Sequence, residues 1–562
     1  MKKIHALFLS FLLLIPLHTP EGNSSCDGKT LYVGGSGEGN YTTIQDAVFA
    51  ANDGDTIFVY SGVYHESVFI SKRIKLIGEN KNDTIIEAGL YGFGINVSCS
   101  GVKIKNFSII KASWDSAAIV LFNSKNCSIE SCKIYNNEWT GISLVNADEN
   151  EIKDCEILKN SIGVELLSSN KNIISKCKLY KNGDGFLIGR SNENRIQECN
   201  ISNNSWGGVE LMDAENNAIS DCLFYGNGII IYGSLIDHFI HNISGDTIDG
   251  KPILYIKNKE CNLSSIDAGE IIMVGCNNFL MKNCNIEGGD AAIEIAYCND
   301  GIIKNCSMHG RHYGLLAYNI DKCTIESNFI KGGSEDGIDL NGCNNNMIGH
   351  NRIIYAENNA ISLTQSLNNT IYENDISNNG MGILVFSYSD YNNVSGNHVY
   401  SNQLCGISIQ GGSYNVVYDN MIEGSQMWCG IAIVKSWTKY NIIRKNNISR
   451  NKCGVHLEGV GNLIEDNDIY ANGYSIYLSA WLSKCKRNVI TKNNFIGNLK
   501  DASFEVDILS LNKWDGNYWD NWNIPAPKPI FGYAIIEFGR YGFGIRFPWI
   551  NFDMHPSMKP LD

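Results

Sequence analysis

Asp290, His312 and Glu335 follow one another at steps of 22 and 23 residues, and Glu294, Leu316 and Asp339 repeat those steps four positions later. Arg311, His309 and Asp336 lie beside them in the chain. If such steps bring equivalent positions into columns, His312 sits between two acids at a spacing of about 5 Å, with Arg311 at its side. An imidazole between carboxyls serves as a general base, and a guanidinium neutralises a uronate carboxylate; a lyase or epimerase needs both to take the proton from a sugar C5. Glu294 and Asp339 would stand about 10 Å apart, the wide limit for an inverting hydrolase, and carboxylates alone also suit Ca²⁺. His312, Asp290, Arg311, Glu335, Asp339 and Glu294 are therefore the candidate catalytic residues. The competing reading is a solvated charged face, because Glu165 and Glu210 make a comparable outward pair with no histidine.

Trp139, Trp206 and Trp428 occupy the position equivalent to Asp290 in other units and are candidates for stacking on sugar rings; half-buried packing is the alternative. His238-x-x-His241 and His309-x-x-His312 have spacings a metal can use, but no cysteine or acid is tied to either pair, so no metal site is assigned. No Met/His-rich cluster of the kind copper favours is present.

These columns depend on a repeat that runs through most of the chain. An apolar residue, two variable ones, Cys or Asn, one variable and another apolar residue recur as Ile152/Cys155/Ile157, Ile174/Cys177/Leu179 and Ile196/Cys199/Ile201, and later as Ile371/Asn374/Ile376 and Ile464/Asn467/Ile469. Most steps are 22 or 23 residues, the signature of a solenoid. A leucine-rich repeat has a similar period but places a helix in its second half. Here that half reads "GISLV", "GVELL", "GIDLN" and "GILVF", a glycine followed by alternation of period two, which is strand. The expected fold is all-β, a right-handed parallel β-helix of about 22–24 residues per coil. Cys132, Cys155, Cys177, Cys199 and Cys222 should then stack inward as small apolar fillers, and asparagine in the same slot should bond along the stack. Four middle coils carry Gly289, Arg311, Gly333 and Ala356 where others have asparagine, and joint departures of this kind mark candidate sites.

A solenoid end is an open sheet edge and has to be covered. Residues 43–51 read as a short amphipathic helix for one end, and the aromatic stretch "NKWDGNYWDNW" as a plug for the other. The expected organisation is an export signal over residues 1–25, a cap and first coils over 26–100, cysteine-ladder coils over 101–228, an irregular hairpin excursion over 229–275, asparagine-ladder coils over 276–510 and a C-terminal cap over 511–562. The hairpin is placed by Asp249-Gly250. A net charge of -14 with no basic stripe excludes a general nucleic-acid binder.

The stretch "TTIQDAVFAANDGDTIFVYSGVYHE", the Asn/Gly coils, "DGKPILYIKN" and "WDGNYWDNW" together resemble the NosD-like right-handed β-helix proteins, also described as carbohydrate-binding and sugar-hydrolysis repeats. That resemblance implies a secreted, periplasmic or cell-surface protein. It covers proteins that lyse, epimerise or hydrolyse polysaccharides and a copper-site accessory protein; the Asp-Asp and Gly-His-Gly motifs of polygalacturonases are missing. The expected partner is a polysaccharide or surface glycan. A non-catalytic surface or adhesion protein and a copper-site accessory protein are the alternatives.

Overall fold

The computed structural model describes residues 28–89, 92–480, 484–538 and 543–561. The expected export signal lies outside them. Each coil is built from three short strands, as in Glu151–Lys153, Glu156–Leu158 and Ile162–Leu167. The same strand of successive coils pairs in parallel and without slip, so that Ile152, Ile174, Ile196 and Ile219 stand one above another. The three-residue step from Ile152 to Cys155 works because Asp154 turns the corner in the left-handed region at φ 52°. Asparagine and aspartate tolerate that conformation best, which is one reason for the Asn-rich composition. The result is the expected β-solenoid, of about 21 turns.

The internal columns satisfy the polar groups that such a stack buries. Each ladder cysteine turns its thiol to backbone carbonyls, as Cys177 does to Ser175 O at 3.3 Å and Ile152 O at 3.8 Å. Asparagine does more, because its amide has both a donor and an acceptor to pass along the stack. Asn374 Nδ2 donates to Asn397 Oδ1 at 2.9 Å, and Asn374 N donates to the same oxygen at 3.0 Å. The Asn137, Asn160, Asn182, Asn204 and Asn227 column bonds in the same way.

A column of this kind needs a last acceptor. Asp553, fully buried, takes the Asn517 N–H and side-chain amide at 3.0 Å each, the Gly516 N–H at 3.0 Å and the Trp519 indole N–H at 3.1 Å. Replacing Asp553 with alanine is expected to orphan four donors and to cost about 3–5 kcal/mol. Hydrogen exchange should accelerate first at Gly516 and Asn517, ahead of the middle coils.

At the other end the helix Ile44–Ala50 covers the first coil. Thr43 caps it by accepting the Asp46 N–H, and the Glu66 carboxylate takes the N–H groups of Ile44 and Gln45 at 2.8 and 2.9 Å.

The stack is not one rod. Asp249 and Gly250, both at positive φ, turn a short antiparallel hairpin between Thr247–Ile248 and Lys251–Pro252. A second stack starts from strand Lys251–Lys257, pairing with Glu270–Val274 and then Ala291–Ala296. The hairpin redirects the chain. The outer face of the second stack now lies against the open end of the first: Ile272, Val274, Leu316 and Tyr318 share one apolar core with Ile229, Ile231 and Phe239. Edge N–H groups of the first stack point along its axis, while the side chains that meet them project across the axis of the second. The two axes are therefore crossed.

Candidate functional site

The columns inferred from spacing are present. His312 N donates to Asp290 O at 2.8 Å and Glu335 N to His312 O at 3.1 Å, so the three lie on consecutive coils; Glu294, Leu316 and Asp339 are in register. Exposure differs from the expectation of an open outer face. Asp290 and Glu294 are 0% exposed and Asp339 is buried, because the first stack covers this part of the second.

Strand Ile229–Tyr232 is the last rung of one sheet of the first stack, and the N–H groups of Ile229 and Ile231 face a rung that is missing. Side chains of the second stack take its place. Glu270 Oε2 accepts the Ile229 N–H at 3.0 Å, and both oxygens of Glu294 accept the Ile231 N–H at 3.2 Å. Asp290 Oδ2 accepts the Gly208 N–H at 2.8 Å. Backbone and carboxylates come so close that a Cβ at Gly228 would lie 2.4 Å from Asp290 N and 2.5 Å from Glu270 Oε2.

The basic members of the set complete this seal. Arg311 donates to the carbonyls of Asn204, Ser205 (2.7 Å) and Gly226, with Asp290 Oδ1 at 3.8 Å. His312 donates from Nε2 to Trp206 O; in the neutral ring Nδ1 then accepts the Ser334 hydroxyl at 2.5 Å. Both imidazole nitrogens are thus engaged. Glu335, half-buried, accepts from Asn358 Nδ2. Asp336 accepts the backbone and side-chain N–H groups of Asn359 at 2.8 Å each.

Burial governs the acidity here. It raises Glu270 and Glu294 well above the usual carboxylate range, and it lifts Asp336 to about 7 with help from Asp339. Asp184, on the first stack, is pushed up to about 8 by burial and then by the charges of Glu210 and Asp290, with Arg311 opposing. A Cβ at Gly207 would lie 3.3 Å from Asp184 Oδ1 and 3.6 Å from Asp290 Oδ2, so Gly207 is lodged between the two carboxyls. Asp184 and Glu270 were absent from the residues picked out by spacing. Asp184 falls where neighbouring coils place Ile162 and Gly207, and that local oddity was its one sequence signal.

Of the three tryptophans, Trp206 is 52% exposed, whereas Trp139 and Trp428 are half-buried. Trp428 meets His456 edge-on at 5.3 Å. Trp206 lies over Gly183 and lines an open groove of about 520 Å³ together with Lys159, Lys181, Ser161, Asn203 and Ser205. The groove runs on the outside of the first stack, next to the junction. His238 and His241 do not form a metal pair: His241 Nδ1 accepts the Asn217 N–H at 3.2 Å, ending an asparagine column, and Nε2 donates to His238 O at 2.9 Å.

Two family models match the chain. One, for a right-handed β-helix region, covers residues 92–248, and the other, for the periplasmic copper-binding protein NosD, covers 239–402 and 384–523. No curated protein matches the sequence. Among solved structures, a pectate lyase is 14% identical over 47% of this chain and 79% of its own, with a TM-score of 0.33. The A-module of the Azotobacter vinelandii mannuronan C-5 epimerase is 11% identical over 82% and 91%, at 0.24, and a Paenibacillus alginate lyase 12% over 68% and 98%, at 0.26. The copper named in one of these family descriptions can be tested against the donors present. Among the described residues no group of three or more His, Cys, Asp or Glu is arranged to hold a metal ion. Ladder thiols such as those of Cys155 and Cys177 point at backbone carbonyls. These donors do not fit copper. No helix among the described residues is long and apolar enough to cross a membrane.

Proposed function

Since the chain belongs to the NosD-like right-handed parallel β-helix family, we propose that it is an exported protein that binds an extended, acidic polysaccharide in the Trp206 groove of its first stack. The observation that carries this reading is the make-up of that groove. In a chain of net charge -14, Lys159 and Lys181 flank an exposed indole, and none of the lining residues is acidic. Lys159 and Lys181 hold the same corner position, at φ 55° and 57°, on consecutive coils. Coils about 4.8 Å apart offer successive sugar units equivalent contacts, and an indole face stacks on the apolar face of a pyranose.

Asp290, Glu294, Arg311 and His312 serve the junction in this reading rather than the glycan. Each places at least one polar atom on backbone of the other stack.

Trp206→Ala is expected to weaken binding by about 2 kcal/mol, roughly 30-fold in Kd. Lys159→Ala/Lys181→Ala should weaken it comparably at low salt and flatten its salt dependence. Affinity electrophoresis and calorimetry against a panel of acidic and neutral polysaccharides measure both. Equal affinity of wild type and Trp206→Ala for every glycan would refute the groove as the site. Release of unsaturated uronates by wild type but not by His312→Ala would return the junction residues to catalysis.

A further inference from the structure

The far end of the second stack is finished by an antiparallel ribbon, Lys528–Phe538 and Phe543–Asp553. Its first strand pairs in parallel with Ser503–Asp507 and so adds one more rung. Its second strand lies beyond that rung as an edge and meets the stack again at Trp514. Residues opposed in an antiparallel pair share a face, and neighbours along a strand alternate. Phe531 and Ile550 therefore lie on one face, 63% and 45% exposed. Ile545 and Trp549 lie on the other, 58% and 43% exposed. The adjoining loop, joined to the ribbon by the Ile508 N–H on Ile535 O, adds Leu509 and Leu511 at 74% and 70%. An apolar surface of this kind calls for an occupant.

We propose that this ribbon docks the solenoid end-on to a lipid bilayer surface. The chain's own tail is not the occupant. After Asp553 it folds back along the stack, where Ser557 N donates to Asn517 O and Leu561 exchanges two hydrogen bonds with Asn494. A second copy adding a strand to the edge would meet Pro548, midway along it, and proline at an edge discourages strand addition. Such pairing would also leave both faces in water. A bilayer interface takes Phe531 and Ile550 on the outer face together with Ile545 and Trp549 where the second strand overhangs the core that buries Ile530 and Ala534. The composition suits that interface: an indole and a phenol among aliphatic side chains, with the Arg546 guanidinium 3.8 Å from the centre of the Tyr533 ring. The proposal is independent of the glycan groove, which lies on the other stack.

The test is co-sedimentation of the full-length protein with vesicles of phosphatidylcholine, alone and mixed with phosphatidylglycerol. Wild type should partition onto the vesicles. Phe531→Ser/Ile545→Ser/Trp549→Ser should lose at least tenfold in partition coefficient with an unchanged melting curve, because all three side chains are exposed. Should the triple variant misfold, quenching of wild-type tryptophan fluorescence by brominated lipid, with most of that quenching lost in Trp549→Phe, reads the same contact. Wild type left in the supernatant with both vesicle types would overturn the proposal. So would a dimer in solution that the triple variant abolishes, since the ribbon would then belong to a second copy.

Discussion

Replacing Glu270 and Glu294 together with alanine is expected to undock the two stacks. Each substitution orphans a buried N–H, of Ile229 or Ile231, and leaves a void where a fully buried side chain had been. An orphaned buried donor costs about 1–3 kcal/mol and the lost packing a similar amount, so the pair together should remove roughly 4–12 kcal/mol from the contact. That exceeds what a junction inside a marginally stable chain tolerates. Calorimetry should resolve a new low-temperature transition, and small-angle scattering should report a larger radius of gyration. Proteolysis should begin in the connection around residues 233–250. Glu270→Gln/Glu294→Gln is the informative control, because glutamine keeps the accepting oxygen and discards the ionisable group. The Gln pair should stay docked. A single unfolding transition at the wild-type temperature in the Ala pair would show that these carboxyls do not cap the edge.

Stability is expected to fall as pH rises, opposite to the usual behaviour of a protein stabilised by ion-paired acids. Five buried carboxyls carry folded-state values above their unfolded ones, burial being the main cause each time: Glu270 and Glu294 by direction, Asp246 at about 6, Asp336 at about 7 and Asp184 at about 8. A raised acid favours the neutral form in the folded state. Its contribution is complete below the unfolded value, near 4, and disappears as pH climbs through the folded value. For Asp184, a rise from 3.8 to about 8 corresponds to stabilisation on the order of 5 kcal/mol at pH 4 that is gone by about pH 9. Exposed acids such as Glu87 and Asp267, held low by Lys111 and Lys251, act in the opposite sense, but solvent screening leaves them little weight. Denaturant melts at pH 5, 7 and 9 should show a steady loss, larger from pH 5 to 7 than from 7 to 9 because the slope weakens as each folded value is passed, and Asp184→Asn should flatten it. A midpoint rising between pH 5 and 8 would contradict the account.

Much of this architecture was legible in advance because its causes are local and repeat. The spacing of Ile152, Cys155 and Ile157 specifies two inward positions and the corner between them, and the structure has that corner at Asp154. Asparagine could be read as a stacking residue because its amide can both give and take a hydrogen bond. The columns Asp290, His312, Glu335 and Glu294, Leu316, Asp339 were legible for the same reason. Their surroundings were not. Spacing assigns a side chain to the outer face of a coil, but whether water or another part of the chain lies outside it depends on where the path turns. Asp249-Gly250 marks that turn without giving its direction.

The sequence by itself determined the coil, its register and its internal ladders, because each rests on contacts between residues about one period apart, and the period is written into the chain. Only the tertiary structure decided which outward residues stay wet. Gly208 and Asp290 meet across 82 positions, and Ile231 and Glu294 across 63, by crossing two stacks that obey the same repeat. An open sheet edge demands acceptors for its N–H groups but does not say which residues will supply them. Carboxyls arranged like those of an active site became the rung that the first stack lacked, while Trp206, Lys159 and Lys181 were left facing solvent.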